Sequence, residues 1–97
     1  MAYVPIKEAP TYTLDDLTLV HLELVESVQA YEGDEGVAFI DLPRGRCQHP
    51  RTRRIFNERT FRPLVGLGLL DVGNGRDTPV RTTEAGRAWV RTRRNGA

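Results

Sequence analysis

Thirteen of the fourteen cationic side chains in this chain are arginines, and all thirteen lie between Arg44 and Arg94. A guanidinium is planar, permanently charged and carries a fork of donors that matches a phosphate or the edge of a guanine. The carboxylates lie elsewhere. Residues 1–42 hold nine of them against Lys7 alone, a net charge of −8. Residues 43–97 hold the thirteen arginines against Glu58, Asp71, Asp77 and Glu84, a net of +9. The whole-chain value of +1 conceals this division. Such a separation suits one face to phosphate and makes another repel it. The alternative is that the two halves neutralise each other through ion pairs between helices. The arginine bias itself fits selection for phosphate contacts and the codon usage of a GC-rich genome equally well.

Other chemistry has less to work with. Cys47 and His49 stand two residues apart with His21 distant, short of the roughly four ligands a metal site needs. Ser27 is the only serine and has no histidine at a suitable helical spacing. Gly66 and Gly68 lack the pattern of a phosphate-cradling loop. His21 falls on an apolar stripe, which suits a hydrogen-bonded core or interface histidine. The expectation is a protein that is not an enzyme and takes no metal or cofactor.

Ninety-seven residues make one domain with a modest core. No stretch approaches the roughly 20 apolar residues that span a bilayer. The opening Met1-Ala2-Tyr3-Val4-Pro5 lacks the basic and apolar regions of a secretory signal. A single cysteine excludes an internal disulfide and fits a reducing compartment, so the expected location is cytoplasmic.

The elements that must carry the arginines follow from periodicity and turn chemistry. Residues 1–12, with Pro5 and Pro10, read as an extended N-terminal arm. Thr13 opens a helix whose apolar stripe runs Leu14, Leu17, His21, Leu24, Val28 and Tyr31. Val20 and Val25 widen that stripe and Leu19 and Leu22 fall off its centre, more apolar surface than one core face needs, so the arm or a second subunit would cover the remainder. Val37–Leu42 has strand composition. Pro43-Arg44-Gly45-Arg46 is a basic loop, and Pro50–Phe56 is expected as a short helix. Asn57 caps a further helix running to about Leu67, with Pro63 and Gly66 inside it as weakening residues. Asn74-Gly75 supplies two positive-φ positions for a tight hairpin turn, Pro79–Thr82 returns as a strand, and a last helix runs from Thr83 to about Arg93.

In Leu64-x-x-Leu67-Gly68-Leu69-Leu70, Gly73-Asn74-Gly75-Arg76-Asp77 and Thr83-Glu84-Ala85-Gly86-Arg87, the chain resembles bacterial winged helix-turn-helix regulators of the MarR, PadR and ArsR type over about residues 36–94. The resemblance implies an α+β fold: a winged helix-turn-helix domain over residues 13–94, with the arm before it and a disordered C-terminus, 95–97, after it. A small three-stranded antiparallel sheet would join Val37–Leu42 to the two wing strands. It also implies that Glu58, Arg59, Thr60 and Arg62 stand at the exposed start of a recognition helix entering the major groove of double-stranded DNA. Arg76 at the wing tip would reach an adjacent minor groove, Arg51, Arg53 and Arg54 would hold backbone, and Arg81 is also expected to contact DNA. Transcriptional regulation by a homodimer paired through its first helix and arm is the expected function. The alternative is a winged-helix adaptor, of phage or mobile-element origin, that docks on a protein without reading bases.

Overall fold

The computed structural model of the chain describes residues 12–74 and 78–96. The expected arm at 1–12 therefore lies outside the described residues apart from Tyr12. The first ordered turn is a 3-10 turn, Leu14–Asp16, where the Asp16 carboxylate accepts the Thr13 N–H at 3.0 Å. Helix α1 begins only at Leu19 and runs to Tyr31, so Thr13 opens a separate turn and not the long helix. The reason is a second start signal: the Thr18 N–H donates to His21 Nδ1 at 2.9 Å, fixing the chain in extended geometry just ahead of the first helical turn. α1 buries Leu24, Val25 and Val28 and leaves Leu19 65% exposed.

A turn over residues 33–36 follows, and Val37 then forms an isolated antiparallel bridge to Val80. Strands β1 (Ile40–Leu42), β2 (Arg46–Gln48) and β3 (Ile55–Asn57) make an antiparallel meander in that order. Cys47 stands opposite both Asp41 and Phe56, and Phe56 is buried. A three-stranded antiparallel sheet is thus present, but it is not the expected one. Hairpin strands β4 (Leu70–Asp71) and β5 (Arg81–Thr82) pair only with each other, and Val37 reaches them through a single bridge.

The expected helix at Pro50–Phe56 is also replaced, by a tight turn and β3. Arg53, at φ 68°, turns the chain out of a helical path after a single turn. His49 closes that turn: its Nδ1 accepts the N–H groups of Arg51 (3.1 Å) and Thr52 (3.2 Å) as an N-cap would. Its Nε2–H donates to the Ser27 carbonyl of α1 at 3.1 Å, and Tyr31 and Phe39 meet the ring edge-on. The side chain is completely buried.

β3 runs without a loop into α2 (Glu58–Gly66), capped at Asn57 as the sequence suggests. Pro63 sits inside α2, so the carbonyl of Arg59 loses its helical donor; Arg59 is exposed, and water can take that place. The buried Pro63 and Leu64 form the inward face. The helix ends in a Schellman motif. Gly68 adopts φ 75°, its N–H bonds the Val65 carbonyl (3.0 Å), and the Leu69 N–H bonds that of Leu64 (2.8 Å). This is the physical content of the Leu-x-x-x-Gly-Leu-Leu pattern: glycine reverses the chain while Leu64, Leu69 and Leu70 enter the core.

Helix α3 (Glu84–Arg94) is clamped onto that exit. The Thr83 hydroxyl accepts the Gly86 N–H (2.9 Å) and donates to the Gly68 carbonyl (2.5 Å). Gly86 lies so close to the backbone that a Cβ there would stand 2.1 Å from the Leu69 carbonyl oxygen. At the same base of the hairpin, Glu32 accepts both the N–H (2.8 Å) and the hydroxyl (2.7 Å) of Thr82, tying α1 to β5. Residues from α1, β3, α2, the second sheet and α3 close one core, including Leu24, Val28, Phe56, Leu64, Val80 and Trp89. Among the described residues no helix is long and apolar enough to cross a membrane.

These contacts make three expected outcomes. His49→Ala would leave two N–H groups, one carbonyl and a cavity without partners, and should lower unfolding free energy by about 3 kcal/mol in urea titration. Gly86→Ala forces α3 off β4 and should destabilise by roughly 2 kcal/mol, whereas Ala on the exposed face of α3 should not. Burial holds His21 below its ordinary value of 6.5, so the unfolded chain binds protons more readily just under that pH. The stabilisation is complete above about pH 6.5 and is lost as pH falls below it. Thermal melts of His21→Gln should therefore show a weaker decline from pH 7.5 to 5 than those of the parent.

Candidate nucleic-acid interface

The arginines of residues 44–62 reach the surface on three short elements. The first is the β1–β2 turn, residues 43–45, where Arg44 (φ 68°) and Gly45 (φ 70°) both occupy the left-handed region. Successive positive φ values reverse the chain tightly between twisted strands. The turn is braced from both sides: Arg46 Nε donates to the Pro43 carbonyl (3.1 Å), and the Glu58 N–H donates to the Gly45 carbonyl (2.6 Å). The second of these bonds seats the turn against the first residue of α2. Glycine carries the left-handed conformation without cost, but an arginine there loses roughly 1 kcal/mol or more.

The second element is the His49–Arg54 loop. Arg53 also has φ 68°, but its backbone is well satisfied: its N–H bonds the His49 carbonyl (2.9 Å), and its carbonyl accepts from Gln48 Nε2 (3.1 Å). Arg51 lies over the Tyr31 ring at 5.4 Å. Arg54 lies over Phe56 at 5.0 Å and pairs with Glu23 of α1 at 2.7 Å. Of the three loop arginines, Arg54 is thus neutralised from within the fold, and Arg51 and Arg53 stay exposed.

The third element is α2. Arg59 and Arg62, three residues apart, share one exposed side of the helix, and Thr60 between them is half-buried. Among the described residues neither arginine has a carboxylate partner. The carboxylates of α1 are engaged elsewhere, Glu23 by Arg54 and Glu26 by Arg94 (2.7 Å). Arg81 donates to the Asp34 carbonyl, which turns it toward the acidic turn and away from α2. Arg76 and the expected Asn74-Gly75 turn run into residues 75–77, outside the described residues. Within the described part the left-handed position is Gly73 (φ 58°), and Asn74 does not share it, because the Asp71 carboxylate already takes the Gly73 N–H (2.8 Å) and starts the reversal one residue early.

Beside α2 runs a groove of about 510 Å³, with an apolar lining that includes Phe39, Leu42, Phe61 and Val65 and charged walls that include Arg46 and Arg62. Sequence reasoning passed over Arg44 and Arg46 as contact residues, and passed over His49 as the residue that shapes the loop. The alternation of Ile40 to Leu42 and the Pro-Arg-Gly turn could have marked the first hairpin. No local signal marks a histidine that hydrogen-bonds its own following turn. Among the described residues no cluster of histidine, cysteine and carboxylates is arranged to hold a metal. Comparison with protein-family models, with curated proteins and with solved structures finds no match to this chain.

Proposed function

We propose that this chain is a DNA-binding winged-helix protein, acting as a transcriptional regulator that holds duplex DNA through α2 and its flanking loops. The observation that carries the reading is the pair Arg59 and Arg62, exposed on α2 and without a carboxylate partner among the described residues, while α1's Glu23 and Glu26 are paired with other arginines. The order α1, Val37 bridge, α2, β4–β5 hairpin, α3 supports the winged-helix assignment, with the β1–β3 meander standing where such folds carry their second helix. In this reading Arg59, Arg62 and Thr60 face the duplex, and Arg51 and Arg53 hold backbone. Arg54 and Arg81 contribute less, because Glu23 and the Asp34 carbonyl engage them. α2 has nine residues and a proline at its sixth, so it offers few side chains to base edges. Affinity would rest mainly on phosphates and be salt-dependent. The exposed Leu19 supports a homodimer through α1.

The second reading, a protein-docking module, draws on the apolar groove beside α2, which DNA contacts alone do not require.

Fluorescence anisotropy with a labelled random-sequence duplex separates the two. If four or five phosphates are contacted, affinity should fall roughly a hundredfold between about 50 and 200 mM salt. Arg59→Ala and Arg62→Ala should each weaken binding, while Arg94→Ala, which removes a guanidinium already paired with Glu26, should not. Absence of binding at the lower salt would overturn the DNA reading and leave the groove as the working surface.

A further inference from the structure

We infer that the β1–β2 turn is a phosphate-gripping finger, with Arg44 as the side chain that closes on the nucleic-acid backbone next to α2. The inference rests on the nucleic-acid reading above and adds a contact element to it.

Arg44 occupies a backbone conformation that glycine or asparagine adopts far more readily, and it does so in an exposed turn. Its side chain makes no hydrogen bond, ion pair or ring contact with any described residue. No described residue compensates for the choice of arginine. Arg53 is the instructive contrast. It has the same φ, yet both its backbone groups are hydrogen-bonded in a loop built around a buried histidine. The exposed side chain of Arg53 likewise has no partner among the described residues, so in both turns the reason for an arginine lies outside the described fold, and of the two it is Arg44 whose turn adjoins the first residue of α2.

The surroundings identify that reason. The turn is braced by Arg46 to the Pro43 carbonyl and by the Glu58 N–H to the Gly45 carbonyl, so Arg44 projects from a fixed base. That base abuts the first turn of α2, which carries Arg59 and Arg62. Glu58 is the only carboxylate in the stretch 43–62, against seven arginines. A rigid tip carrying one unpaired guanidinium, beside two more on a helix, matches a run of phosphodiesters spaced along a strand. The left-handed geometry serves this arrangement by bringing the tip back toward α2, and a contact to phosphate is indifferent to base sequence.

The test compares the parent chain with Arg44→Gly and Arg44→Lys, using two labelled duplexes of unrelated sequence over a salt series, with a thermal melt of each protein. Glycine removes the charge and also relieves the backbone, so Arg44→Gly should melt at the same temperature or a few degrees higher. It should nevertheless bind both duplexes roughly three- to tenfold more weakly at low salt, with the salt slope reduced by about one. Arg44→Lys should keep the parent's slope. Parent-like affinity in Arg44→Gly overturns this inference and leaves the α2 reading intact. Weaker binding accompanied by a lower melting temperature also overturns it, because Arg44 would then be a structural residue. No binding by the parent chain removes both readings together.

Discussion

A single buried imidazole holds the two halves of this molecule in register. His49 Nδ1 takes the N–H groups of Arg51 and Thr52, and its Nε2–H reaches the Ser27 carbonyl on α1. One side chain therefore shapes the loop between β2 and β3 and pins it to the acidic helix. Once that loop is closed, β3 must follow β2 as an antiparallel partner, and α2 must begin where β3 ends. A polar group buried this deeply is tolerated because both ring nitrogens have partners and the ring edges pack on Tyr31 and Phe39.

The charge division of the sequence becomes a division of labour in the fold. Glu23, Glu26 and Glu32 lie along α1 and its C-cap, and each meets a group from the C-terminal half: Arg54, Arg94 and Thr82. The two ion pairs are partly exposed and contribute little stability individually, but they decide which arginines are neutralised. Neutralisation between the halves thus holds for Arg54 and Arg94. Some arginines staple the halves together, and Arg44, Arg59 and Arg62 stay outside that network among the described residues.

Local signals were legible where they coincide with a backbone requirement. Gly68 at the Schellman end of α2, and Thr83 with Gly86 at the start of α3, each satisfy orphan backbone groups or permit close approach, and residue type reveals such needs directly. The extra turn before α1 was not legible, because Thr13 and Thr18 are equally good start signals and only packing at Leu17 separates them. The exposed arginines were legible as a class after residue 43, but which of them pair within the fold was not. Nothing in the spacing of Arg54 tells it apart from Arg59, yet one lies beside Glu23 and the other has no carboxylate partner among the described residues.

The amino-acid sequence by itself determined the extents of α2 and α3 to within a residue, the Gly68 and Thr83 caps, the apolar faces and the segregation of charge, because each depends on residues within a few positions of one another. The tertiary structure decided which strands pair, the replacement of a helix by a hairpin after His49, and which arginines remain unpaired. Those outcomes rest on contacts between residues distant along the chain, His49 with Ser27, Val37 with Val80 and Glu23 with Arg54. Such contacts exist only once the chain has closed on itself, so no local pattern of residue types encodes them.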